Sequence, residues 1–242
     1  TAGIVGHLLH YNVQHDDEGS SDLTYSLVGA PTGATIDPET GVLTWTPTSA
    51  QAGTNAFQVI GTDLAGNTVT QDLSVDVVDI AQVMQIRLEV RDVDGNIVDT
   101  VSPGQNFWLR VYVQDVRTVD VEGVFAAYLD VNYDSALVSA IGQNRDDIVF
   151  GALYDDGRSG SLTTPGLLDE IGAFNPTTFP PQEAGDEQLL LSVGMTANAE
   201  GEVLFYGDPG DAIGSDALVF GQNTPLSWDV VTIPPTTLTV TG

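Results

Sequence analysis

The sequence predicts an all-β protein of two β-sandwiches in tandem. Short apolar runs alternate with polar residues at period two, as a strand with one buried face requires. Gly, Pro and Asp cut those runs at near-regular intervals, where turns need a special φ. No long stretch of the 242 residues shows the 3.6-residue apolar period of an amphipathic helix.

The runs at 7–14, 23–28, 42–46, 56–61 and 68–78 form a first series. Leu23, Tyr25 and Leu27 alternate with small or polar neighbours before Pro31-Thr-Gly33 and Asp37-Pro-Glu-Thr-Gly41 turn the chain. Val42-Leu-Thr-Trp45 resumes it, and 47–53 breaks it again. Phe57, Val59 and Gly61 alternate once more up to the turn Asp63-Leu-Ala-Gly-Asn67. Residues 79–84 read as a linker or a shared strand, which divides the chain into domains at 1–80 and 81–242. The second series runs through 85–90, 97–101, 107–113, 124–133, 137–141, 148–153, 188–195, 201–206, 217–220 and 237–241. Asp94-Gly95 between two alternating runs predicts a hairpin, because a tight two-residue turn needs positive φ. Residues 154–187 are the least regular part, a long loop that serves either as a binding surface or as a surface excursion. Within it 167–171 fits a single helical turn. Trp45 and Trp108 lie inside alternating runs and are expected in the cores, with Trp228 near a final strand. Thr1 to Val5 is short for the strand expected before Gly6, so upstream chain or an edge strand of another copy would complete the sheet.

Charge excludes several functions. Thirty-four acidic residues face six arginines and no lysine, for a net charge of -28. Such a surface repels phosphate backbones and anionic lipid, so nucleic-acid and membrane partners are not expected. It attracts divalent cations. No apolar run reaches the roughly 18 residues of a membrane helix, and no signal-peptide pattern opens the chain. Without lysine there is no Schiff-base chemistry and no Lys-Asn crosslink. Without cysteine there is no disulfide, thiolate metal site or thiol nucleophile.

Thr24-Tyr-Ser-Leu27, the turn ending at Gly41, Val42-Leu-Thr-Trp45-Thr-Pro47 and Gly61-Thr-Asp63 resemble the cadherin-like, dystroglycan-type Ig-like repeats of bacterial surface proteins, over residues 7 to 79. That resemblance implies an extracellular spacer or adhesion module. Val101-Ser-Pro-Gly104, Phe107-Trp-Leu-Arg-Val-Tyr-Val113 and Gly123 to Leu137, with Tyr133-Asp134 ending a strand, resemble the core of cohesin domains. Leu189 to Val193 and Ala199-Glu-Gly201 resemble that family's later strands. Ser135 stands where the family usually has proline. This second resemblance implies a jelly-roll-like sandwich, close to carbohydrate-binding modules, and a dockerin-like partner. The tandem is similar to segments of long planctomycete-type surface proteins.

Hard calcium takes six to eight oxygen ligands. The candidates are Asp16 and Asp17 in the loop His15-Asp-Asp-Glu-Gly19, Asp63 at the head of its turn, and Asp79 after the last strand of the first domain. These loops converge in a cadherin-like sandwich, although the cadherin glutamate ligand has no counterpart at 46–51. Asp92 does not open an EF-hand loop, since its sixth and twelfth residues are Ile97 and Pro103. His7, His10 and His15 match no zinc motif. No nucleophile elbow or phosphate loop is present, and no carboxylate pair is singled out for glycosidase chemistry. The expected function is that of a non-enzymatic surface or adhesion protein, with calcium as a cofactor and a protein partner or self-association through edge strands. Dockerin reception and carbohydrate binding are the alternatives.

Overall fold

The computed structural model describes residues 2–13, 23–79, 81–118, 120–177, 185–211 and 216–242. It is almost wholly β, with three single-turn 3₁₀ segments among the described residues. The chain divides into two compact units, Thr1–Ile80 and Ala81–Gly242.

The first unit is a sandwich of seven strands among the described residues. Its strands are β1 (Ala2–Ile4), β2 (Leu9–Asn12), β3 (Thr24–Val28), β4 (Thr35–Ile36), β5 (Val42–Trp45), β6 (Gly53–Thr62) and β7 (Thr68–Val78). One sheet has the order β1-β7-β6-β3 and the other β2-β5-β4. Alternation along β6 and β7 turns Phe57, Leu73, Val75 and Val77 inward against Leu43 and Trp45 of β5. Trp45 is 1% exposed and meets the Phe57 ring edge-on at 6.5 Å. Gly41, at φ 71°, lies against the ring of Tyr25, where a β-carbon would stand 3.1 Å from the ring. The first strand is supplied by the chain itself. β1 runs parallel to β7 with Ala2 opposite Asp76, so the edge expected to need a donated strand is paired internally.

The second unit has β8 (Met84–Asp92), β9 (Thr100–Val101), β10 (Asn106–Asp115), β11 (Val124–Asn132), β12 (Val138–Ala140), β13 (Ile148–Phe150) and β14 (Asp156–Ser161). It continues with β15 (Leu167–Phe174), β16 (Gln188–Ala197), β17 (Gly201–Pro209), β18 (Ala217–Val219), β19 (Val231–Thr232) and β20 (Thr236–Val240). The six-stranded sheet is β12-β16-β10-β8-β19, with β13 beside β12 on β16. The seven-stranded sheet is β14-β15-β11-β17-β20-β9, with β18 beside β17 on β11. Between them lies one apolar core in which Leu109, Leu129, Leu168, Ile171, Leu191 and Phe205 are fully buried. Tyr154 is 1% exposed and donates its hydroxyl to the Val124 carbonyl at 2.9 Å, so its polar end is satisfied inside the core.

Two expectations are corrected here. The irregular segment 154–187 contains two strands, and 167–171 belongs to β15 rather than to a helical turn. Trp108 does not enter the core. Phe107, Leu109, Val111 and Val113 take the inward positions of β10, so Trp108 stands half-buried on the outer face. Trp228 packs against the edge of the core and donates to Asp216 at 3.4 Å.

Candidate functional site

The four predicted metal ligands do not form one site. Asp16 and Asp17 lie outside the described residues. Asp63 follows the end of β6, where Thr62 pairs with Thr68 and Thr24. Asp79 follows the other end of β7, whose Val77 pairs with Gly53. The length of the ladder, about ten residues at ~3.3 Å each, separates them by about 30 Å, so no single ion reaches both.

Asp63 is also occupied by its own turn. Its Oδ1 accepts the backbone N–H of Ala65 at 2.9 Å and of Asn67 at 2.8 Å, and its Oδ2 accepts Asn67 Nδ2 at 2.7 Å. The Asn67 side chain, then its backbone N–H, holds the carboxyl below the ordinary aspartate range. The second unit repeats the device. Asp92 accepts Asp94 N–H and Asn96 N–H on Oδ1 and Asn96 Nδ2 on Oδ2, at 2.8 to 3.0 Å. Both segments read Asp-x-x-Gly-Asn, with Gly66 at φ 86° and Gly95 at φ 90°. Gly supplies the left-handed residue and Asn holds the carboxylate, which explains the predicted turn at Asp94-Gly95 and shows Asp92 serving that turn. Among the described residues, no group of three or more His, Asp or Glu side chains is arranged to hold a metal.

The chemically distinctive place is the outer face of the seven-stranded sheet. Leu129 and Val131 of β11 point into the core, so Tyr128, Asp130 and Asn132 point out. Asp130 is paired directly with Asp208 of β17, a like-charge pairing that sheets usually avoid. On its other side the β11–β15 register slips between Leu129 and Val131, so Asp169 and Glu170 together face one residue. This bulge puts Glu170 at φ 51° and sends its backbone N–H to Asp130 Oδ1 at 2.7 Å. Gly210, just after β17, lies against the Glu170 carboxylate: a β-carbon there would stand 2.7 Å from Oε2.

The electrostatics follow from that crowding. Burial, followed by the charges of Asp208, Asp169 and Glu170, pushes Asp130 up to about 6 against the Glu170 N–H bond. Burial and then the Glu170 charge raise Asp216, and the Trp228 indole opposes them. Asn132 Nδ2 donates to Asp208 Oδ1 at 3.2 Å. Tyr206 is raised by burial and then by Asp208. Asp130, Asp169, Glu170, Asp208 and Asp216, with Tyr206 beside them, therefore make an acidic surface on which Asp130 is the group raised to about 6. This surface can accept hydrogen bonds from amide, hydroxyl or guanidinium groups of a protein partner. None of these contacts was visible in the sequence, because the carboxylates come from separate strands and the bulge that joins them has no local signature.

Residues 3–78 match the family model described as "Putative Ig domain". Solved structures to which the chain is similar include cohesins. A type II cohesin domain from the cellulosome of Acetivibrio cellulolyticus is 11% identical, with 64% of this chain and 94% of that chain covered and a TM-score of 0.47. A cohesin module from a Clostridium perfringens family 33 glycoside hydrolase is 15% identical over 66% of this chain and 98% of that one, at 0.42. The sixth cohesin of A. cellulolyticus scaffoldin B, solved in complex with a mutant Cel5 dockerin, is 10% identical over 65% and 99%, also at 0.42. No curated protein matches the chain. No helix among the described residues is long and apolar enough to cross a membrane.

Proposed function

We propose that the chain is a non-enzymatic, extracellular structural or adhesion protein. Residues 1–80 act as a rigid Ig-like spacer, and residues 81–242 act as a protein-binding module. The working surface is the outer face of the seven-stranded sheet, and the observation that supports it is the crowded Asp130, Asp208 and Glu170 group with its one-residue bulge. A like-charged cluster on a sheet face costs stability in the free molecule, so a donor-rich partner is the group that relieves it. A dockerin-like module is the first partner class to offer. Calcium belongs to this proposal through Asp16 and Asp17, with Asp63 closed by its turn and Asp79 at the far end of the ladder.

The experiment is titration of a dockerin-type module, and of the chain itself, onto the immobilised full chain at pH 5 and pH 7.5. Binding that the double substitution Asp130→Asn, Asp208→Asn weakens at least tenfold supports the assigned face. Binding that ignores this pair, or turnover of a glycan traced to a defined pocket, overturns it.

A further inference from the structure

The six-stranded sheet turns a chemically opposite face outward. All six arginines of the chain lie in residues 81–242. Three of them, Arg87, Arg91 and Arg110, stand together on the outer face of β8 and β10, because Leu88, Val90, Leu109 and Val111 take the core positions. The register sets Trp108 opposite Arg91, Arg110 opposite Glu89, and Tyr112 opposite Arg87.

Two of these guanidiniums are fully engaged. Glu89 is 7% exposed and accepts Arg87 Nη1 at 2.6 Å and Arg91 Nε at 2.5 Å. Arg87 also forks onto Glu187 at 2.6 and 2.7 Å and lies 4.5 Å over the Tyr112 ring. Arg91 Nη1 donates to the Gly95 carbonyl at 2.6 Å. Arg110 is different. It makes no ion pair among the described residues. Its Nε–H is shielded from solvent with no acceptor, and Nη1 reaches only the Tyr112 hydroxyl at 3.4 Å. A partner cannot reach that shielded Nε, so what it can engage is the Nη edge of a half-buried guanidinium that has no ion pair among the described residues, conspicuous in a chain with 34 carboxylates. On the β16 side Arg110 pairs with Ser192, and Trp108 pairs with Gly194. A β-carbon on Gly194 would lie 3.6 Å from Ile141 and 3.7 Å from Trp108. Ile141 is 42% and Val149, opposite Ser192, 53% exposed, so an apolar rim adjoins the cation.

We infer that this face docks a short extended segment of a partner protein, with a carboxylate side chain on Arg110 and a neighbouring apolar side chain on Trp108 and Ile141. A guanidinium matches a carboxylate with two parallel hydrogen bonds, and the indole and aliphatic rim supply the dry contact beside it. Charge decides the size of the occupant. At -28 the whole chain repels nucleic acid, anionic membrane and a second copy of itself at long range. A segment with one or two carboxylates at contact distance responds chiefly to the guanidinium within a screening length.

The test is selection of a random displayed heptapeptide library on the immobilised full chain. The Kd of the leading synthetic peptide is then measured by fluorescence polarisation on the wild type, Arg110→Gln and Ile141→Asp. Circular dichroism of each variant confirms the fold, and the rim variant keeps the test alive should Arg110→Gln misfold. The expected peptides contain Asp or Glu next to an aliphatic or aromatic residue. Their affinity falls at least about tenfold in either variant, and again when the carboxylate becomes its amide. Peptides without a carboxylate, equal binding by both variants, or no enrichment at all would refute the proposal. So would concentration-dependent self-association in sedimentation that Arg110→Gln abolishes, because a second copy would then be the occupant.

Discussion

Protons act in opposite directions on two carboxylates of the second unit. Asp115 is 2% exposed, and its oxygens accept Arg117 Nε at 2.9 Å, Arg117 Nη2 at 2.7 Å and the backbone N–H groups of Glu122 and Gly123 at 3.0 Å. Burial works to raise it, yet the Arg117 fork and the backbone donors hold it below the ordinary range. Its contribution is present above about pH 4 and is lost as pH falls further. Asp130, raised to about 6, behaves conversely. Its native state binds the extra proton, so stability is full below about pH 4 and is lost as pH rises through 6. Asp130→Asn keeps the acceptor for the Glu170 N–H and removes the charge. The full shift would amount to about 3 kcal/mol, but solvent reaches this half-buried group. The substitution is therefore expected to stabilise by about 1 kcal/mol at pH 8 and to change little at pH 4. Urea unfolding at both values checks this, and an equal effect at each would contradict the assignment. Asp63→Asn, by contrast, is expected to lower Tm equally in calcium and in chelator, since its carboxylate serves the turn. A deficit confined to the calcium sample would restore it as a ligand.

At the scale of elements, most strands were legible because alternation of a few apolar residues over a run is a direct image of one buried face. β10 alternates in burial along its whole length, and β6 and β7 do so over their later halves. β14 reads Asp-Gly-Arg-Ser-Gly-Ser and pairs only through two register irregularities, so it has no apolar alternation to detect. β15 reads Leu-Leu-Asp-Glu-Ile-Gly-Ala-Phe, and its bulge shifts the inward positions by one residue midway. That shift imitates a helical spacing, Leu167, Leu168 and Ile171, which explains the expected helical turn. Trp108 was misplaced for a related reason: both parities of β10 contain large apolar residues, and only the facing sheet decides which is inward. Gly172 shows how tightly β15 is held. A β-carbon there would collide with the Ala127 carbonyl and the Tyr128 backbone and ring. Gly172→Ala is expected to destabilise the second unit by about 3 kcal/mol, at the high end for overpacking because the obstacle is backbone. Chemical denaturation of the full chain would show this as an earlier transition, and an unchanged midpoint would mean that β15 can shift sideways.

The whole molecule is governed by its charge. Thirty-four acidic groups against six arginines repel one another in the folded state, and that repulsion shrinks as the Debye length falls from about 30 Å at 0.01 M to about 8 Å at 0.15 M. Tm is therefore expected to rise with sodium chloride over that range, by calorimetry, while a flat response would show that this repulsion contributes little to stability. The distribution was readable from composition, as was the division into two all-β halves. What composition could not display is the clustering within the second unit, with Asp130, Asp208 and Glu170 crowded on one sheet and Arg87, Arg91 and Arg110 gathered on the other.

The parallel pairings have a mechanical consequence. In the first unit the initial strand β1 runs alongside the final strand β7, and in the second the initial strand β8 runs alongside the late strand β19, while the last, β20, runs alongside β9. A stretching force on the two ends of the first unit would slide β1 past β7 lengthwise and strain its bridging bonds together, instead of peeling them open one at a time. Such a tether yields abruptly at a high load rather than gradually at a low one, a property suited to a link that must hold its length under flow.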